Sequence, residues 1–134
     1  MIIAAAYVRV STDEQTDYSP SAQLADIKEY AAQNGYHIPE EFIFMDEGIS
    51  GKRADKRPAF QAMIRQARKK SNHIQYIIVH KFDRFARNKE DSVLYKALLK
   101  KDGVKVISVK EPIPQDDKFA VIYESMLEAM AEYY

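Results

Sequence analysis

The sequence predicts an α/β domain: a mainly parallel sheet of four to five strands with helices on both faces, ending in a C-terminal helix for oligomerisation. Two observations carry this. Short runs rich in β-branched residues alternate with stretches of helical periodicity in the order βαβαβαβ. The chain of 134 residues, 46% hydrophobic and without cysteine, has room for one core and buries enough surface to fold without disulfides. Consecutive strand–helix–strand units favour parallel pairing with right-handed crossovers. They also place function at the carboxyl ends of the strands.

The first strand is Ile2 to Val10. A helix follows, with Ser19 as N-cap, Pro20 at its first position, Leu24, Ile27, Tyr30 and Ala31 at helical spacing, and Asn34-Gly35 as its stop. Phe42 to Met45 is the second strand. A helix opening at Pro58 presents Phe60, Met63, Ile64 and Ala67 to the core, and Gln75 to Val79 is the third strand. A helix from about Lys89 to Lys101, with Val93, Leu94, Ala97 and Leu98 inward, stops before Asp102-Gly103, and Val104 to Val109 is the fourth strand. From Asp116 to Tyr134 the apolar residues Phe119, Ile122, Tyr123, Met126, Leu127, Met130, Tyr133 and Tyr134 form one long stripe. Such a stripe either completes the core or packs on a partner subunit, and its Met and aromatic content favours the partner.

The absence of cysteine excludes disulfides and thiolate metal sites. The longest apolar run, Ile2 to Val8, is far short of the roughly 20 residues of a membrane span, so the expectation is a soluble, cytoplasmic protein without membrane segment or signal peptide. The formal net charge is zero, but the charges are segregated. Ser11 to Glu47 holds nine acids and one base, and Gly51 to Lys89 holds twelve bases and two acids. That asymmetry can turn one positive face toward a polyanion.

Three stretches carry candidate chemistry. Tyr7, Arg9 and Ser11 alternate along the end of the first strand and share one side of it. Read alone, they are either an ordinary polar strand end facing solvent or a serine nucleophile set beside a guanidinium. After the third strand comes His80-Lys81-Phe82-Asp83-Arg84-Phe85-Ala86-Arg87-Asn88. Arg84 and Arg87 would share a face if this segment is helical. Forked guanidiniums match phosphate oxygens and can stabilise a pentacoordinate phosphoryl transition state. Asp83 is either the acid of a helix's first turn or a group that orients an arginine or handles a proton. The third stretch, Asp46 to Arg53, reads as a mobile or tightly turned loop with two glycines, acids at its start and Lys52 and Arg53 at its end. Arg57, before Pro58, stands at a helix opening where amides and a guanidinium together could hold an anion.

Four motifs then stand in order: Tyr-Val-Arg-Val-Ser-Thr from Tyr7, Ser-Pro-Ser-Ala-Gln-Leu from Ser19, Asp-Glu-Gly-Ile-Ser-Gly from Asp46 with Arg-Pro-Ala-Phe from Arg57, and Lys-Phe-Asp-Arg-Phe-Ala-Arg-Asn from Lys81. Together they resemble the catalytic domain of the serine site-specific recombinases, the family of resolvases, invertases and large integrases and transposases. The resemblance spans essentially the whole chain. The Ser19 motif and the longer loop after Gly51 are more similar to the large integrases and transposases than to the small resolvases.

The resemblance implies that Ser11 attacks the scissile phosphate, becomes linked to the DNA 5′ end and releases a 3′ hydroxyl, without metal or cofactor. It implies that Arg9, Arg84 and Arg87 surround the phosphate and that Arg57 supports the site. Gln23 matches a glutamine near the active centre, and Tyr7, Asp46 and Asp83 match its positioning or proton-handling positions. Lys52, Arg53 and Lys81 are expected to contact DNA. The implied partners are double-stranded DNA, a homodimer and a synaptic homotetramer. In the family the last helix runs on into a dimerisation helix and a DNA-binding region, so residues 1–134 are expected to be the catalytic domain of a larger recombinase. Two other readings remain: a metal-dependent phosphodiesterase or nuclease using Asp46, Glu47 and Asp83, and a catalytically silent oligomerisation module.

Overall fold

The computed structural model of the chain describes residues 1–10, 19–47, 57–85, 89–111, 125–126 and 128–130. Its elements in chain order are β1 (Ile2–Val10), α1 (Pro20–Asn34), β2 (Tyr36–His37), β3 (Ile43–Glu47), α2 (Pro58–Ala67), β4 (Ile74–Val79), α3 (Phe82–Phe85), α4 (Lys89–Lys101) and β5 (Lys105–Ser108). Single 3-10 turns at Glu40–Phe42 and Lys70–Asn72 precede β3 and β4.

All pairings among the five strands are parallel. β1 is central. Its start pairs with β2 and its end with β3 along one edge, while β4 and then β5 continue the sheet on the other side. The chain therefore leaves β1 in one direction through α1 and returns across it through α2. That reversal makes the carboxyl ends of β1 and β4 the topological switch point, the place where doubly wound sheets bind their ligands.

β1 alternates between two cores. Ala5 and Tyr7 join Phe60, Met63, Ile64 and Ala67 of α2, Ile77 and Val79 of β4, and Leu99 of α4. Ala4, Ala6 and Val8 join Ile27 and Ala31 of α1 and Ile78 of β4. Phe60 is the hub of the first core, with ring centroids 5.4 Å from Tyr7, 5.2 Å from Phe85 and 5.0 Å from Tyr95, all edge-on. Truncating such a side chain costs about 3–5 kcal/mol.

Helix ends follow the local chemistry. Ser19 Oγ accepts the Ala22 amide at 3.2 Å, Pro20 occupies the first turn, and Gly35 closes α1 at φ 75°, where glycine carries no Cβ penalty.

Several expectations are corrected. Phe42 lies in a 3-10 turn, and the second predicted strand runs Ile43–Glu47, which places Asp46 and Glu47 in the sheet rather than in a loop. The short β2 was not foreseen. α4 faces the core through Tyr95 and Leu99, whereas Val93 and Leu94 are 45% and 55% exposed and Ala97 is exposed as well. This helix carries apolar residues on two faces, and the sheet selects the Tyr95–Leu99 face. Of the C-terminal stripe, residues 125–126 and 128–130 are helical, and the rest lies outside the described residues. Lys96 Nζ of α4 meets Glu128 Oε1 at 3.2 Å, which holds this helix against α4.

Candidate active site

The carboxyl ends of β1, β3 and β4 bring together Tyr7, Arg9, Asp46, Arg57, Asp83 and Arg84. Tyr7 and Arg9 are both fully buried on the α2 side of β1, because helices cover both faces of this strand. The solvent-facing strand end is thereby excluded for these two residues.

The Tyr7 hydroxyl donates to Asp46 Oδ2 at 2.7 Å. The same carboxylate accepts the Ala59 amide on Oδ1 and the Phe60 amide on Oδ2, each at 3.0 Å. Asp46 therefore closes the first turn of α2, where unpaired amides and the helix dipole favour a negative charge. The anion-holding helix opening expected at Arg57 is corrected in the same stroke, since Asp46 already occupies those amides. Burial pushes the Tyr7 hydroxyl far above its ordinary value; Arg57 opposes this and Asp46 adds to it. Tyr7 thus stays protonated and acts as a fixed donor.

Arg57 is fully buried. Its Nη1 donates to the Phe85 carbonyl at 2.7 Å and lies 3.5 Å from the Tyr7 hydroxyl, while its guanidinium stacks over the Phe60 ring at 3.9 Å. Arg9 Nη2 donates to the Asp83 carbonyl at 2.9 Å, and Gln23 Nε2 donates to the Arg9 carbonyl at 3.4 Å. Two arginines from different elements therefore grip the α3 segment at consecutive odd positions, Asp83 and Phe85. Arg84 sits between them, buried, with Nε 3.5 Å from Asp83 Oδ1.

Arg9 and Arg57, each held by a backbone carbonyl, and Arg84 beside them gather positive charge at this end of the sheet, and guanidiniums there are chemically suited to an anionic, phosphate-like group. Asp46, with both oxygens engaged, is a structural acid. Among the described residues no three His, Cys, Asp or Glu side chains come together to hold a metal ion.

The family profile described as the resolvase N-terminal domain matches residues 4–134. The chain belongs to the resolvase family. Its fold is similar to that of the N-terminal catalytic domain of TP901-1 integrase, with a TM-score of 0.77 and 27% identity over 98% of this chain and 95% of that one. It is similar to a resolvase family site-specific recombinase from Streptococcus pneumoniae, with a TM-score of 0.75 and 29% identity over 99% of this chain and 90% of that one. It also resembles in fold the C-terminal catalytic domain of ISC1926 TnpA, an IS607-like serine recombinase, at a TM-score of 0.68 and 22% identity over 98% and 83%. No curated protein sequence is significantly similar to the chain.

In this resolvase-family domain the family implies site-specific DNA recombination. Of the residues singled out in the sequence, Tyr7, Arg9, Gln23, Asp46, Arg57, Asp83 and Arg84 form one connected set. Lys81 is exposed at the turn before α3. Ser11, Lys52, Arg53 and Arg87 lie outside the described residues. No described helix is long and apolar enough to cross a membrane.

Beside this set stand His80, to which the sequence assigned no role, and Asp26, Ser108 and Glu111, which it did not single out. His80 is buried with Nε2 3.2 Å from Asp26 Oδ2, and Ser108 and Glu111 contact the turn that leads into α3. Ser108-x-x-Glu111 has the Ser-x-x-Glu spacing of a capping box, which was the available signal.

Proposed function

We propose that this domain performs site-specific recombination by cleaving and rejoining double-stranded DNA through a 5′-phosphoserine intermediate on Ser11. The observation that carries the reading is Arg9. It is fully buried two residues before Ser11, at the carboxyl end of the central strand, and it is tied to the segment that holds Arg84. Ser11 Oγ attacks the phosphorus, the bond to the 3′ oxygen breaks, the serine gives up its proton and the 3′ oxygen gains one. Religation runs the same steps backward, with the bond energy kept in the phosphoserine, so the chemistry needs no metal or cofactor. Arg9, Arg84 and Arg87 stabilise the charge on the phosphoryl oxygens. Arg57, Gln23, Tyr7 and Asp46 hold the elements that present them, and Asp83 sets the Arg84 guanidinium. Lys52, Arg53 and Lys81 contact the DNA backbone. The domain belongs to a larger recombinase whose copies act as a homodimer that synapses into a tetramer.

The test compares the full-length protein with its Ser11→Ala variant on DNA carrying both ends of the mobile element that encodes it. The variant should bind this DNA normally and leave it uncut. Ordinary cleavage by the variant would overturn the assignment.

A further inference from the structure

The turn between β4 and α3 is fastened from the far side by the end of β5. The Phe82 amide donates to Glu111 Oε1 at 2.7 Å, and Ser108 Oγ donates to the same oxygen at 3.0 Å. The Glu111 amide in turn donates to Ser108 Oγ at 3.2 Å, so the serine and the glutamate brace each other. Ser108 Oγ also lies 3.3 Å from the His80 carbonyl, and the Lys110 amide donates to that carbonyl at 3.1 Å. Ser108 is fully buried, and one strand's end thereby holds both His80 and Phe82.

Those contacts fall immediately before the segment gripped by the site arginines. Reading along the chain, Glu111 holds Phe82, Arg9 holds the Asp83 carbonyl, and Arg57 holds the Phe85 carbonyl. A four-residue helix does not define its own orientation, since its nucleation is unfavourable and external partners must set it. Arg9 and Arg57 grip it through carbonyls, and Glu111 grips it through an amide. The charge on Glu111 strengthens that bond relative to a neutral acceptor.

We infer that Glu111, braced by Ser108, is a positioning residue for Arg84: it sets the direction in which the β4–α3 turn presents that guanidinium to the phosphate. The inference rests on the recombinase reading of the site. A buried polar group keeps a neighbour in place only if it is itself held, and the Ser108–Glu111 bracket meets that requirement. Without the carboxylate the Phe82 amide loses its acceptor, the turn relaxes, and Arg84 meets the phosphate in a poorer geometry.

The full-length protein is tested in two ways. Amide hydrogen exchange in the absence of DNA reads the Phe82 bond directly, and Glu111→Ala should lose protection there while the β1 and β4 core amides keep theirs. Single-turnover cleavage is then measured on saturating DNA carrying both ends of the encoding element. Misplacement of about 1 Å costs on the order of 100-fold, so Glu111→Ala should cut the rate by about 10- to 100-fold with DNA affinity unchanged. Glu111→Gln, which retains the acceptor oxygen, should recover most of it. In an Arg84→Lys background, Glu111→Ala should cost less than about threefold, because two changes acting through one group are not additive. Retained Phe82 protection, a full cleavage rate in Glu111→Ala, no recovery in Glu111→Gln, or additive losses with Arg84→Lys each overturn the inference while wild-type cleavage stands. A wild-type protein that forms no Ser11 adduct overturns the reading of the site itself.

Discussion

Tyr7 and Asp46, on neighbouring parallel strands, are joined by a 2.7 Å hydrogen bond, and the carboxylate that accepts it also closes the first turn of α2. One buried acid therefore couples two strands to a helix. Removing it leaves a buried hydroxyl and two amides without their acceptor, so Asp46→Ala should destabilise the domain by about 2–4 kcal/mol. Tyr7→Phe should cost about 1 kcal/mol, and much less when Asp46 is already Ala. Denaturant unfolding of the single and double variants checks this; an Asp46→Ala midpoint equal to wild type would contradict it.

Arg9 donates from Nη2 to the Asp83 carbonyl, and in the proposed mechanism its planar fork also serves the phosphate. An ammonium is a point charge without that fork. Arg9→Lys should therefore lower single-turnover cleavage by about 100-fold while DNA binding stays close to normal. Near-normal cleavage by this variant would show that the fork is not used.

His80 supplies a pH dependence. Burial holds its imidazole below the usual value of 6.5, and Asp26 acts in the opposite direction without offsetting burial. The unfolded chain thus takes up a proton that the folded chain excludes. Stability is fully present above about pH 6.5 and declines as pH falls from there through the lower folded value. The Tm of the wild type should drop between pH 7.5 and pH 5, and His80→Gln should flatten that slope. Parallel slopes for the two proteins would rule out His80 as the source.

Much of the fold was legible because its signals are local. In α2 a single apolar face at helical spacing foretold Phe60, Met63, Ile64 and Ala67, and all four are buried. α4 carries apolar residues on two sides, and only the sheet decides between them, so its sequence points to the wrong face. β2 left no trace because two residues pair through the backbone. In the site, strand alternation put Tyr7 and Arg9 on one side correctly. Asp46 takes its role from partners 13 to 39 residues distant along the chain, which no local pattern reports; Glu111 carries the local Ser-x-x-Glu spacing, but its partner at Phe82 is 29 residues away.

Met126 and Met130 are 57% and 52% exposed on the C-terminal helix, and Val93 and Leu94 are exposed on α4. Apolar residues repeated at helical spacing on an uncovered face favour a partner subunit. Met126→Glu combined with Met130→Glu should shift the protein toward monomer in sedimentation. An unchanged oligomeric state would remove this helix from the interface.

Trapping the covalent intermediate decides whether Ser11 is the nucleophile. The full-length protein is incubated, in excess chelator, with DNA carrying both ends of its element, and any adduct is resolved by denaturing electrophoresis and mapped by mass spectrometry. The expected product is a 5′-phosphate ester on Ser11 with a free 3′ hydroxyl. Cleavage that appears only on adding magnesium and leaves no adduct on Ser11 would contradict it.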